Sequence, residues 1–155
     1  MNFDPVTDKC EEAFCEYINA QNAAALAAYG IVLAKQHATL PIPGVVFAVS
    51  EDAVKERVHG HGIFDVPLDI YVGTESEQDK LAVAHKAAAG AIIAHLNDKA
   101  SVRSTLNTVA NPDVRPVQDF LIYDYSLRGQ PTRILAGATW ETVIKLLVVC
   151  QGRNA

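Results

Sequence analysis

The chain has 155 residues, a mass of 16.7 kDa, and eighteen acids against thirteen bases for a net charge of −5. With 50% of residues apolar and 20% charged, it is excluded from the disordered class. The acidic balance argues against a protein that grips nucleic acid over its whole surface, and no apolar run approaches the roughly 18–20 residues that span a bilayer.

The first predicted element is an amphipathic helix over about Pro5–Tyr29. Asp4 precedes a proline in the first turn, where a missing N–H costs nothing. Thr7 or Asp8 are alternative caps, and Asp8 with Glu11 has capping-box spacing. Phe14, Tyr17, Ile18, Ala24, Ala25 and Ala28 recur at helical spacing, and Gly30 is a natural stop. A short strand at Ile31–Ala34 is followed by Leu40-Pro41-Ile42-Pro43-Gly44, whose prolines exclude regular helix.

Val45–Val49 is dense in strand formers. The polar stretch Ser50–Gly62 reads either as a hairpin loop or as a twisted continuation of that strand. Ile63–Val72 then gives the clearest strand signal. Phe64, Val66, Leu68, Ile70 and Val72 alternate with Asp65, Pro67, Asp69 and Tyr71, one dry face against one wet. Pro67 cannot donate to a ladder, which predicts an edge strand or a bulge.

Thr74 and Glu77, at capping-box spacing, predict the start of a second helix that runs to about Asn97. Its stripe is Leu81, Ala84, Ala88, Ile92 and Leu96, and Gly90 inside it is read as a site of close packing on the sheet. Ser101–Asn107 predicts one more short helical turn. Asn111-Pro112 and Arg115-Pro116 mark a loop.

The last third reads as β. Leu121, Tyr123, Tyr125 and Leu127 alternate with Ile122, Asp124 and Ser126, and Gly129-Gln130-Pro131 is a turn. The returning run from Thr132 to Gln151 places Trp140, Thr142, Ile144, Leu146, Val148 and Cys150 on one face, with Glu141 and Lys145 on the other. Fully extended it would reach roughly 65 Å, so a bend or bulge is expected at Gly137-Ala138. The order of helix, strands, helix, strands lacks βαβ alternation. The expectation for residues 1–155 is a single α+β domain: an antiparallel or mixed sheet with two helices packed on one face.

The search for chemistry yields no catalytic residue, no cofactor site and no metal site. His59-Gly60-His61-Gly62 lacks the third glycine of a dinucleotide fingerprint and precedes a strand. His59 and His61 could chelate from one side of a strand, but a third and fourth ligand would be needed; the alternative is a surface loop with two histidines. Cys10 and Cys15 lie about 140° apart on a helix, and His85 and His95 about 80° apart, so neither pair shares a face. Three cysteines (Cys10, Cys15, Cys150) do not make a secreted disulfide framework, and Asp4 and Asp8 replace the basic start of a signal peptide, which together suggest a reducing cytoplasm. Asp65, Asp69 and Asp124 read as a solvated strand face or, in an oligomer, as a channel lining. Tyr123, Tyr125 and Trp140 read as sheet core or as a stacking platform.

Beyond these local readings, the chain resembles tail terminator (tail completion) proteins of small tailed bacteriophages. The resemblance is carried by the N-terminal amphipathic helix, by GVVFAVSEDAVKERVHGHGIFDVPLDIYV, by TESEQDKLAVAHKAAAGAIIAHL, and by the strand pair around YSLRGQ and WETVIKLLVVC. It implies a structural virion protein rather than an enzyme. Such a protein assembles in the bacterial cytoplasm into a ring, typically a hexamer, that caps the tail tube, stops its polymerisation and offers a surface to the head–tail connector. The implied partners are further copies of itself, the major tail tube protein, the connector or stopper protein, and phage DNA passing through the lumen without specific binding; a membrane is not among them. By this resemblance the edge of the sheet and the first helix make ring contacts. Glu51, Lys55, Arg57, Arg128 and Arg133 sit on protruding interface loops, and Asp65, Asp69 and Asp124 face the lumen. Two alternatives are a head-completion or stopper protein at the portal, and a small-ligand-binding module of ferredoxin-like type.

Overall fold

A computed structural model describes residues 6–27, 31–34, 43–49, 53–58, 62–110 and 120–152. The expected cap at Asp4-Pro5, the stop at Gly30, the residues Glu51, His59 and His61, and the prolines at 112 and 116 lie outside them.

The elements in chain order are α1 (Val6–Ala27), β1 (Val32–Ala34), β2 (Gly44–Val49), β3 (Lys55–Val58), β4 (Ile63–Glu75), α2 (Val83–Leu96), α3 (Lys99–Ala110), β5 (Phe120–Leu127), β6 (Arg133–Ala136) and β7 (Thr139–Gly152). The fold is α+β. Its seven-stranded mixed sheet has one parallel pair, β1 with β2, and is otherwise antiparallel. Three helices pack on one face, not two. The short turn expected at Ser101–Asn107 is the twelve-residue α3, whose Val102 and Leu106 enter the core.

At the centre, β4 lies antiparallel to β7 along its whole length, Ile63–Glu75 opposite Gln151–Thr139. Val66, Leu68, Ile70 and Val72 face the helices together with Thr142, Ile144, Leu146, Val148 and Cys150, all buried. Cys10, Ala13, Phe14, Tyr17 and Ile18 of α1 and Ala88, Ile92 and Leu96 of α2 close over them. The flanking strands are each interrupted. β2 and β3 share one side of β4, and among the described residues neither reaches Val66 and Pro67 on that side. β5 and β6 share the far side of β7. β4 is therefore central rather than an edge, and Pro67 is tolerated because it falls at an interruption.

Several further expectations are corrected. The helix already runs at Val6, so Thr7 and Asp8 are not caps; the Glu11 carboxylate instead accepts the Val49 N–H of β2 at 2.8 Å. Of the two readings of Ser50–Gly62, the hairpin loop gives way to the continuation of the strand: Lys55–Val58 follows β2 antiparallel along the same side of β4. The Thr74–Glu77 box does not open α2. Thr74 is still in β4, the helix begins at Val83, and Leu81 is 78% exposed before it. In β5 a bulge between Ile122 and Asp124 reverses the alternation. Ile122 and Tyr125 are buried, while Tyr123 is exposed and its hydroxyl donates to Gln151 at 2.6 Å. Tyr125 thus belongs to the core, edge-on to Phe14 with its hydroxyl on the Leu96 carbonyl.

The reversal at the C-terminal end also sits elsewhere. Gly137-Ala138 is the hairpin turn itself, with Ala136 opposite Thr139 and Gly137 at φ 63°. A positive φ at the first central residue is the type II′ pattern, which glycine adopts without strain. Gly129-Gln130-Pro131 instead connects β5 to β6 along one edge.

Gly90 has no packing role: it lies on the exposed side of α2, and a Cβ there would meet nothing within 4 Å. Gly90→Ala is therefore expected to stabilise the fold by about 0.4–1 kcal/mol, raising the melting temperature by about 1–4 °C in differential scanning calorimetry. A lowered melting temperature would contradict this placement.

Candidate interaction surface

β6 is an accessible apolar strand. All four of its residues are exposed, with Ile134 at 53% and Leu135 at 55%. The strand is an edge because β7 is its one ladder partner among the described residues. Its only charged residue, Arg133, is drawn back over the Trp140 ring, 5.0 Å from guanidinium to centroid. Charged gatekeepers usually blunt such an edge. Here β6 presents Ile-Leu-Ala to solvent.

At the opposite end of the sheet the β3 edge is charged, and the β5 edge mixes Asp124 with the partly exposed Tyr123 and Leu127. Lys55, Glu56 and Arg57 of β3 are exposed. On β5, Asp124 pairs with Lys99 at 3.6 Å.

The charged residues expected at the interface and in the lumen are not two separate sets. Arg57 Nε pairs with Asp65 at 3.0 Å. Arg128 crosses β7: its backbone N–H donates to the Lys145 carbonyl at 2.7 Å, its Nε to the Leu146 carbonyl at 3.3 Å, and its terminal nitrogen reaches Asp69 on β4 at 3.2 Å. Arg128 is thus a strap across the sheet at the break between β5 and β6. Asp65, Asp69 and Asp124 do lie on the strand face away from the helices, in register with Val149, Lys145 and Val149 respectively. Each has a cation within 4 Å, so none contributes a bare negative charge. Lys55 stands exposed beside Asp65 in the ladder.

Behind β6, the loop before α2 forms a buried polar node that local sequence reading missed. The Asp79 carboxylate accepts backbone N–H groups of Ala84 at 3.1 Å and His85 at 3.0 Å, capping α2 from three residues before its N-cap position. Ala82, at that position, adopts a left-handed φ of 54° to make the approach. The Asp79 carbonyl accepts the Trp140 indole N–H at 2.8 Å. Ser76 ties the loop to the β6–β7 turn through two bonds to the Ala138 carbonyl.

Both ring nitrogens of His85, which is 1% exposed, have hydroxyl partners: Nδ1 lies 3.2 Å from Thr74 Oγ1 and Nε2 lies 2.6 Å from Thr142 Oγ1. With the Thr74 hydroxyl donating to Asp79 Oδ2 at 3.4 Å, the neutral tautomer that matches this arrangement carries its proton on Nδ1 and accepts the Thr142 hydroxyl at Nε2. Burial holds its pKa below the usual histidine value; Arg133 adds to this and Asp79 opposes it. For Asp79, burial acts upward, but the N–H bonds from His85, Ala84 and Val83 and the Thr74 hydroxyl outweigh it and hold the carboxyl below its ordinary range. A cavity of about 430 Å³ opens beside the node, lined by Pro43, Thr74, Glu75, Gln78, Asp79, Val83 and Ala84.

The described residues contain no group of three or more histidine, cysteine or acidic side chains able to hold a metal, and none of their helices is long and apolar enough to cross a membrane. None of the three cysteines forms a disulfide, and all three are buried. Burial, with Cys150 and Glu11 nearby, raises the Cys10 thiol well above its ordinary value, and burial with Asp65 pushes Cys150 up to about 12. Burial thus disfavours the thiolate form of Cys10 and Cys150. No protein-family model matches the chain, and no curated protein matches it.

The node makes the fold acid-sensitive. A histidine whose folded pKa is depressed leaves stability intact above its ordinary value of about 6.5 and loses it as pH falls below that value, because the unfolded state then binds the proton more readily. Urea denaturation at pH 7.5 and pH 5.5 is expected to show a larger loss for the native chain than for His85→Gln. An equal loss in both would mean that His85 is not held neutral by this network.

Proposed function

We propose that this chain is a structural virion protein of tail-terminator type, assembled in the bacterial cytoplasm. Copies form a ring, six in the family it resembles, on the last ring of the tail tube. The ring occupies the growing end, offers the next tube subunit no matching surface, and presents its other side to the head connector.

The observation that supports this reading is the β6 edge. A three-residue aliphatic run at an edge strand, with Ile134 and Leu135 more than half exposed, gives a monomer no stability. It suits a subunit that completes itself against a neighbour. A heterologous contact of this kind closes into a ring when the rotation per subunit closes. The connection through Gly129-Gln130-Pro131, pinned by Arg128, runs beside that edge and is suited to tube or connector contacts. The proposal does not use a repelling acidic lumen, because Asp65, Asp69 and Asp124 are each paired; phage DNA would pass a lining of near-balanced charge. A stopper at the portal shares this ring logic and differs in its partner.

A second reading, the small-ligand-binding module, is favoured by the cavity beside Asp79. It predicts a ligand-dependent rise in melting temperature and no ring.

The test is growth of tail tubes from purified tube protein, read by electron microscopy. Native chain is expected to arrest growth, with the chain located at tube ends. The double variant Ile134→Asp/Leu135→Asp is expected to elute as a monomer and to fail to arrest growth. Its stability should stay within about 0.5 kcal/mol per substitution, as for exposed sites. Native chain that binds the portal complex but not the tube would favour the stopper reading. A double variant that caps as well as the native chain would remove β6 from the account.

A further inference from the structure

The register of the sheet says which surface meets β6. One row of residues crosses five strands: Val32 in β1, Gly44 in β2, Gly73 in β4, Glu141 in β7 and Ile134 in β6. The next row runs from Leu33 through Val45, Val72 and Thr142 to Arg133. β1 and β6 therefore terminate the same level of the sheet on opposite sides. Both are short and aliphatic, Val-Leu-Ala and Ile-Leu-Ala after Arg133. Among the described residues, each has one ladder partner. At the other level, the edges are β3, with Lys55, Glu56 and Arg57, and β5, with Asp124 paired to Lys99. Charge thus blunts the β3 edge, whereas β6 leaves Ile134 and Leu135 more than half exposed.

Strand direction adds an independent constraint. β1 runs parallel to β2; β2 to β4, β4 to β7 and β7 to β6 are each antiparallel. Three reversals leave β1 and β6 opposed. When two copies stand side by side in the same orientation, β6 of one meets β1 of the next antiparallel, the geometry in which ladder bonds run perpendicular to the strands. A twofold contact of β6 with β6 is also antiparallel, but it leaves β1 unused and closes at a dimer.

We infer that this chain assembles head to tail by sheet extension, with β6 of one subunit adding to β1 of the next at the Val32–Ile134 level. The inference deepens the ring reading above and rests on it. The ladder fixes register and orientation, as in recognition by strand addition. The exposed Leu81, on the loop that Ser76 ties to the β6–β7 turn, and Val83, which opens α2 directly after it, add apolar area beside this turn.

The test uses single-cysteine additions, Val32→Cys and Ile134→Cys; the native thiols Cys10, Cys15 and Cys150 are buried. The two variants are co-expressed with different affinity tags and treated with a short bis-maleimide, with light scattering on the same samples. The expected products are mixed dimers carrying one of each tag, no dimers when either variant is expressed alone, and a ladder up to the ring from the double variant. Ile134→Cys dimers formed alone would overturn head-to-tail pairing in favour of a twofold edge. Rings seen by light scattering without mixed dimers would overturn the edge assignment while leaving the ring reading standing. Monomers of native chain at every concentration, with tube protein present or absent, would overturn both.

Discussion

The architecture depends on the unbroken antiparallel ladder between β4 and β7. Its register is fixed by burial, because a one-residue slip would carry Val66, Leu68, Ile70 and Val72 to the face of Asp65 and Asp69 and expose the core. With that ladder set, α1, α2 and α3 have one dry face to cover. The neighbours on either side need only add partial strands. β2 with β3 and β5 with β6 each do so, with one interruption apiece.

Those interruptions explain where the polar groups go. At the end of β2, the Val49 N–H donates to the Glu11 carboxylate of α1. Between β5 and β6, Arg128 folds back to bond two β7 carbonyls through its backbone and side chain and to salt-bridge Asp69. At the β5 bulge, the Asn107 side chain of α3 both donates to and accepts from the backbone of Ile122, replacing a missing strand neighbour. Buried backbone groups must be paired, and here side chains from the helices and the connecting segments supply the partners. Charges that resemble rim contacts in the sequence are in several cases parts of this framework.

The ladder strands were legible from sequence because period-two alternation survives in both. Thr142 and Cys150 keep to the same face as the aliphatics of β7, as their spacing requires. The β5 bulge was not legible: one inserted residue, Tyr123, reverses the pattern with no glycine or proline to mark it. The start of α2 was misplaced because Thr74 and Glu77 happen to have cap spacing, whereas the working cap is Asp79, acting through a left-handed Ala82. The turn was misplaced because Gly-Gln-Pro is a stronger local signal than Gly-Ala, yet only Gly137 lies where the chain reverses. The candidate surface was hidden for a related reason. Ile134 and Leu135 read as core in any window of sequence, and only the order of strands makes them an edge. The pairing of Arg57 with Asp65 likewise needs register, which composition does not carry.

Taken together, the ladder sets two levels at the sheet edges, and at one of them β6 leaves Ile134 and Leu135 exposed, the feature on which the proposed self-association rests. The central claim is that the subunit is built to stand beside copies of itself around an axis. Native mass spectrometry of the untagged chain over a range of concentrations tests it most directly. The account predicts one closed species of fixed subunit number that persists on dilution; a mass equal to a single chain throughout, or an open-ended series of sizes, would contradict it.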